Sequence, residues 1–96
     1  MENPGFIEAT QFCIVHNIEL SFIYELNEYG LIEIQKDETS TWIPEQEVTP
    51  LEKYMRLHFD MDINVEGLHA ISHLLKKMQE MEEELLLLRR KLAVYE

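Results

Sequence analysis

The chain has 96 residues, 46% of them hydrophobic, and a formal net charge of −11 with its four histidines counted neutral. That length supports one hydrophobic core and excludes a second, and only three Gly and three Pro exclude a low-complexity linker. Cys13 is the single cysteine, so no internal disulfide can form, in keeping with a reducing compartment. No apolar run reaches the length that spans a bilayer, and the N-terminus Met1-Glu2-Asn3-Pro4 has neither the basic flank nor the apolar core of a signal peptide. A cytoplasmic protein with no membrane segment is therefore expected.

The charge is unevenly distributed. Residues 1–50 hold ten acids against the single base Lys36, a net of −9, while residues 51–96 hold nine acids and seven bases, a net of −2. An acidic head repels phosphate backbones and anionic lipid, and attracts basic protein surfaces.

In chain order, Ala9, Phe12, Cys13 and His16 fall at helical spacing over Glu8–His16, with Glu8 at the positive N-terminal end. Asn17 suits a turn, because Asn tolerates positive φ better than most residues. A second helix is expected over residues 19–29, its apolar stripe formed by Phe22, Ile23, Leu26 and Tyr29, and Gly30 stops it. Its outward positions are Ser21, Tyr24, Glu25, Asn27 and Glu28. Two short amphipathic helices joined by a tight turn read as a helix-turn-helix.

The period then changes. Ile32 and Ile34 alternate with Glu33 and Gln35, the polar run 36–40 turns the chain, and Thr41, Trp42 and Ile43 are β-prone. This predicts a small hairpin wing, ended by Pro44, with a short helical turn through Val48. Thr49 followed by Pro50 predicts a helix start, with Leu51, Tyr54, Met55 and His58 at helical spacing to about Met61. Asp62, Ile63 and Asn64 connect to a further helix, with Asn64 as its candidate N-cap.

From Ile71 the pattern is a heptad. Ile71, Met78, Leu85 and Leu92 take the a positions, and Leu74, Met81, Leu88 and Tyr95 the d positions. In a parallel pair, Lys77, Glu84 and Lys91 face Glu82, Arg89 and Glu96 of the second copy, each pairing of opposite sign. A homodimer through this seam is expected, with packing on the chain's own domain as the alternative. Leu86 and Leu87 widen the apolar face beyond a two-stranded seam. The expected organisation is an acidic head over residues 1–70 and a dimerisation helix over residues 71–96, joined in one structural domain. Gly67 and Ser72 leave open a break between the last two helices.

Chemistry is sparse. No Gly-rich phosphate loop, no Cys or Ser with a local His and no isolated carboxylate pair is present, so no enzyme and no cofactor are expected. His69 and His73 stand four apart, one turn after Glu66, a spacing that can bind zinc; it lacks a third ligand, and a half-buried histidine pair is the simpler reading. Cys13 fills core space, and Trp42 covers the core edge. A winged helix-turn-helix ordinarily reads DNA with Lys or Arg on and beside the second helix. Here no Lys or Arg precedes Lys36, so nucleic acid is not the expected partner.

The order of elements resembles the MerR family of regulators. Phe22-Ile23-Tyr24-Glu25-Leu26-Asn27-Glu28-Tyr29-Gly30-Leu31 is similar to that family's recognition helix ending in Gly-Leu. The family's backbone-contacting Arg and Tyr fall on Tyr24 and Glu25, a change that removes one cation and adds one anion. A closer likeness is to the CbpM family of chaperone modulators, which has a MerR-like fold. It rests on Phe12-Cys13, on Glu28-Tyr29-Gly30-Leu31-Ile32-Glu33, and on Thr41-Trp42-Ile43-Pro44. Arg56-Leu57-His58 with Asp62-Ile63, and the closing Leu87-Leu88-Arg89-Arg90-Lys91-Leu92, extend it along nearly the whole chain.

The fold class implied is mainly α: a MerR-like winged helix-turn-helix with a β-hairpin wing and a C-terminal coiled-coil helix. The function implied is binding to the J-domain of a DnaJ-like (CbpA-type) co-chaperone and inhibition of its stimulation of Hsp70. Tyr24, Glu25, Glu28 and Glu33 are the candidate partner-binding residues. The alternatives are a dimeric MerR-type DNA-binding transcriptional regulator and a plain coiled-coil interaction protein.

Overall fold

The computed structural model describes residues 4–95. Met1, Glu2 and Asn3, and Glu96 with its expected pairing to Lys91, lie outside the described residues. The chain runs β1 (Phe6–Glu8), α1 (Ala9–His16), α2 (Leu20–Glu28), β2 (Gln35–Lys36), β3 (Thr41–Pro44), a 3-10 turn (Glu45–Glu47), α3 (Val48–Met61) and α4 (Val65–Val94).

The helix-turn-helix forms as its residues dictate. Asn17 takes the left-handed conformation at φ 55°, and the Ile18 amide closes on the Cys13 carbonyl at 3.0 Å, so the helix end is satisfied by backbone. Gly30 ends the second helix region at φ 75°, a conformation that costs a side-chain-bearing residue about 1 kcal/mol or more. Tyr29 departs from expectation. It caps α2 instead of extending its buried stripe, and its ring is exposed. His16 is likewise exposed, its ring tilted against Phe12 at 4.2 Å between centroids.

The wing differs from a simple hairpin in two ways. The alternating segment Ile32–Ile34 is not a strand; the ladder begins only at Gln35. Its backbone is drawn to the end of α2 instead, where Leu31 N–H donates to Leu26 O at 2.9 Å and Asn27 Nδ2 donates to Ile32 O at 3.0 Å. A third strand, β1, also joins the sheet, giving the order β1-β3-β2, all antiparallel. β1 pairs Phe6 with Pro44, Ile7 with Ile43 and Glu8 with Trp42. Pro44, which has no N–H to donate, ends the central strand and leads into the 3-10 turn.

α3 begins at Val48, not at Thr49, and no side chain caps it. The preceding 3-10 turn runs straight into the helix, so Pro50 falls in the first turn, where its missing N–H has no helical partner to lose. Asn64 caps α4 as expected, its Oδ1 accepting from Gly67 N–H at 2.8 Å. α4 then continues for 30 residues with no break at Gly67 or Ser72, so the boundary drawn at residue 70 falls inside it. Gly67 allows the preceding connection to approach closely: a Cβ there would stand 2.8 Å from Ile63 Cγ2.

One core holds the head together. Ala9, Phe12 and Cys13 of α1, Phe22, Ile23 and Leu26 of α2, Ile32, Ile43 of β3, Leu51 of α3, and Val65 and Leu68 of α4 are all buried. Full burial of each such large side chain contributes about 1.5–3 kcal/mol. α4 sends only its first turn into this core. Among the described residues, no helix is long and apolar enough to cross a membrane.

Candidate protein-binding site

The outer face of the helix-turn-helix is acidic, but fewer residues are free on it than helical phase implies. Tyr24 is half-buried; its phenol and the Thr41 hydroxyl hydrogen-bond at 2.7 Å, and Lys36 Nζ lies 4.4 Å from the ring centroid. Tyr24 thus ties α2 to the wing. Asn27 is half-buried too, engaged with Ile32 O. Ser21, Glu25, Glu28 and Glu33 remain exposed. The structure therefore separates the four candidate residues: Tyr24 lines a hollow with Lys36 and the wing loop, while Glu25 lines a different cleft with Phe22, His58 and Phe59.

That cleft, of about 380 Å³, also takes in Asn17, Ile18, Glu19, Ser21, Asn64 and Val65. Phe59 stands 54% exposed in it. The spacing read along α3 takes in Leu51, Tyr54, Met55 and His58 and stops short of Phe59, which stands eight residues after Leu51 and four after Met55, at the edge of the same stripe. Its neighbour His58 is oriented by its Nδ1–H, which donates to Ile63 O at 2.7 Å.

The wing tip is organised by Asp37. One carboxylate oxygen accepts from Thr39 N–H at 2.9 Å and Ser40 N–H at 2.7 Å, and the other accepts from the Trp42 indole N–H at 2.8 Å. The indole bond, then the two amides, hold the Asp37 carboxyl below the ordinary carboxylate range.

On α4, the seam is uncovered within the single chain. Ile71 is half-buried, whereas Leu74, Met78, Met81, Leu85, Leu88, Leu92 and Tyr95 are each at least half exposed. Met78, Met81, Leu85 and Leu88 line an apolar groove of about 450 Å³ with Glu82 and Glu84. Leu86 and Leu87 are equally bare.

His69 and His73 face each other with their Nε2 atoms 3.1 Å apart, and Tyr29 packs against His69. They supply two donors; among the described residues, no group of three or more His, Cys, Asp or Glu side chains is arranged to hold a metal ion. The Tyr29 phenol is raised above its ordinary pKa by desolvation first, then by Glu66, Glu25 and Glu28. Cys13 is buried, and desolvation pushes its thiol up, away from the reactive thiolate.

No curated protein sequence and no solved structure matches the chain. A family model described as MerR HTH family regulatory protein matches residues 7–90. That span includes both helices of the helix-turn-helix, the wing, α3 and most of α4, and it points to a regulator, not a catalyst. With this match and this succession of elements, the chain belongs to the MerR helix-turn-helix family of regulatory proteins.

Proposed function

We propose that the protein is a protein-binding modulator that occupies the J-domain of a DnaJ-like, CbpA-type co-chaperone and so restrains its stimulation of Hsp70. The observation that carries this reading is the chemistry of the helix-turn-helix face: Glu25, Glu28 and Glu33 are exposed there, and no Lys or Arg precedes Lys36. A phosphate backbone is repelled by such a face, whereas a J-domain's basic helix is complementary to it. The likeness to the CbpM family, through Glu28-Tyr29-Gly30-Leu31-Ile32-Glu33 and Thr41-Trp42-Ile43-Pro44, supports the same partner. The mechanism is mass action: a J-domain bound by the modulator is withdrawn from Hsp70. The active form in this reading is a cytoplasmic homodimer joined along the bare seam of α4.

The family match favours a second reading, DNA binding by a dimeric transcriptional regulator. The two are separated by titrating the full chain calorimetrically with J-domains of the host's DnaJ-like proteins, and by mixing it with duplex DNA. Binding of a J-domain that weakens as salt rises is expected, since exposed charge pairs are screened over about 8 Å at physiological ionic strength. Absence of binding by every J-domain at low salt ends the co-chaperone reading. Tight, sequence-selective retardation of a duplex at physiological salt establishes the DNA reading in its place.

A further inference from the structure

We propose that the cleft between the start of α2 and the end of α3 is a docking site for an arginine side chain carried on a basic helix of the partner protein. The inference deepens the co-chaperone reading and rests on it only for the partner's name; the chemistry of the site stands by itself.

The back of the cleft is an aromatic cluster. Phe22 stacks on His58 at 4.7 Å between centroids, Phe59 lies 5.4 Å from Phe22, and His58 meets Phe59 edge-on at 4.7 Å. Phe22 is buried and anchors the group to the core, while Phe59 is the exposed member, with more than half its surface open. One side of Phe59 packs on Phe22 and His58, and the exposed remainder is free to meet a ligand. The His58–Ile63 hydrogen bond holds the ring beside it in one orientation, so the aromatic surface is formed before any ligand arrives.

The carboxylates of the cleft face no fixed cation, and His58 is its one titratable base. Glu19 and Glu25 line the cleft, both exposed, and no Lys or Arg does. Ser21 Oγ donates to Glu19 Oε2 at 3.3 Å, which leaves the other carboxylate oxygen for a ligand. An aromatic face attracts a cation through its quadrupole, and a guanidinium adds planar donors suited to carboxylates. Phe59 and two acids on one rim therefore favour arginine over an apolar plug or an anion. The adjoining hollow that shares Phe59 makes the contrast: its lining sets the fixed cation Arg56 among Glu52 and Asp60, so its charges do not select a cation. The volume of about 380 Å³ lies within the range of small-ligand pockets, large enough for one long side chain.

The test uses the full chain and three probes: an amphipathic helical peptide with arginines on one face, the same peptide with those arginines replaced by glutamine, and a J-domain. The arginine peptide should shift the NMR resonances of Phe59, His58 and Glu25 first, and the glutamine peptide should not. Phe59→Ala, and separately the pair Glu19→Gln and Glu25→Gln, should each weaken the peptide and the J-domain at least tenfold. The glutamine pair should leave thermal melting unchanged, dimer mass should stay unchanged throughout, and Phe59→Leu, which keeps apolar bulk against Phe22 without the aromatic face, should weaken the peptide as Phe59→Ala does. If the J-domain binds wild type and these variants equally, the cleft is overturned while the co-chaperone reading survives. If no J-domain binds but the arginine peptide still seats at Phe59, the cleft stands and the named partner falls. A drop to monomers in Phe59→Ala means that a second copy of the chain covers this face, which also overturns the proposal.

Discussion

Asp37 shows how one side chain fixes a local structure, and it gives a residue-scale prediction. Its carboxyl is held below the ordinary range by the Trp42 indole first, then by the Thr39 and Ser40 amides. The folded chain therefore binds this proton less readily than the unfolded chain. The contribution to stability is present above the ordinary carboxylate pKa and is lost as pH falls through the lowered one. Trp42→Phe removes the indole donor, so the Asp37 titration midpoint, followed by carboxyl-carbon NMR, should move up toward its ordinary value. An unchanged midpoint would contradict the assignment. Leu51 is the only fully buried side chain that α3 contributes, and Leu51→Ala should cost about 2–5 kcal/mol in urea denaturation. At this scale, Asn17 and Asn64 were legible because turn and cap chemistry is local. The roles of Tyr24 and Phe59 were not. Tyr24 is claimed by Thr41, seventeen positions away, and Phe59 joins a cluster with Phe22 of α2. Spacing along a single helix cannot reveal such partners. The exposure of Glu25 and Glu28, by contrast, followed from helical phase alone.

Among the elements, the four helices were readable because apolar residues recur at helical spacing in each, whether the stripe is buried, as in α2, or left bare, as along most of α4. The sheet was less so. β1 is three residues long and exists through its pairing with β3, a long-range partnership that no three-residue pattern encodes. Ile32 and Ile34 alternate as a strand would, yet hydrogen bonds from Leu31 and Asn27 bind that segment to α2. Gly67 looked like a breaker, but it sits where the turn before α4 needs room. α4 itself carries the element-scale prediction. About 45 Å long at 1.5 Å per residue, it buries only Val65 and Leu68 in the head, leaving its heptad seam open to a second copy. Each leucine buried there adds roughly 2 kcal/mol. The proposed homodimer should appear by light scattering at micromolar concentration, and Leu85→Asp with Leu88→Asp should yield monomers that keep a folded head. A monomeric wild type contradicts the dimer.

The whole molecule extends 60 × 33 × 20 Å, with a radius of gyration of 17.6 Å, against about 12–13 Å for a compact chain of this length. The difference comes from α4 reaching out from the head as an amphipathic rod whose apolar seam is uncovered. Charge follows the same division, with −10 on residues 1–64 and −1 on residues 65–96. In the proposed function these parts have different tasks, one meeting a basic partner and the other joining two copies. Reversing Glu25 and Glu28 to Lys should slow association with a J-domain and weaken its salt dependence, read by stopped-flow. Folding stability should barely change, because exposed charges add little to it. The most direct measurement is the Hsp70 ATPase rate, stimulated by the host's CbpA-type co-chaperone and titrated with this protein. Stimulation should fall toward the basal rate as the protein saturates the J-domain, and recover when co-chaperone is added in excess. A stimulated rate that stays constant through a saturating excess of the protein would contradict the account.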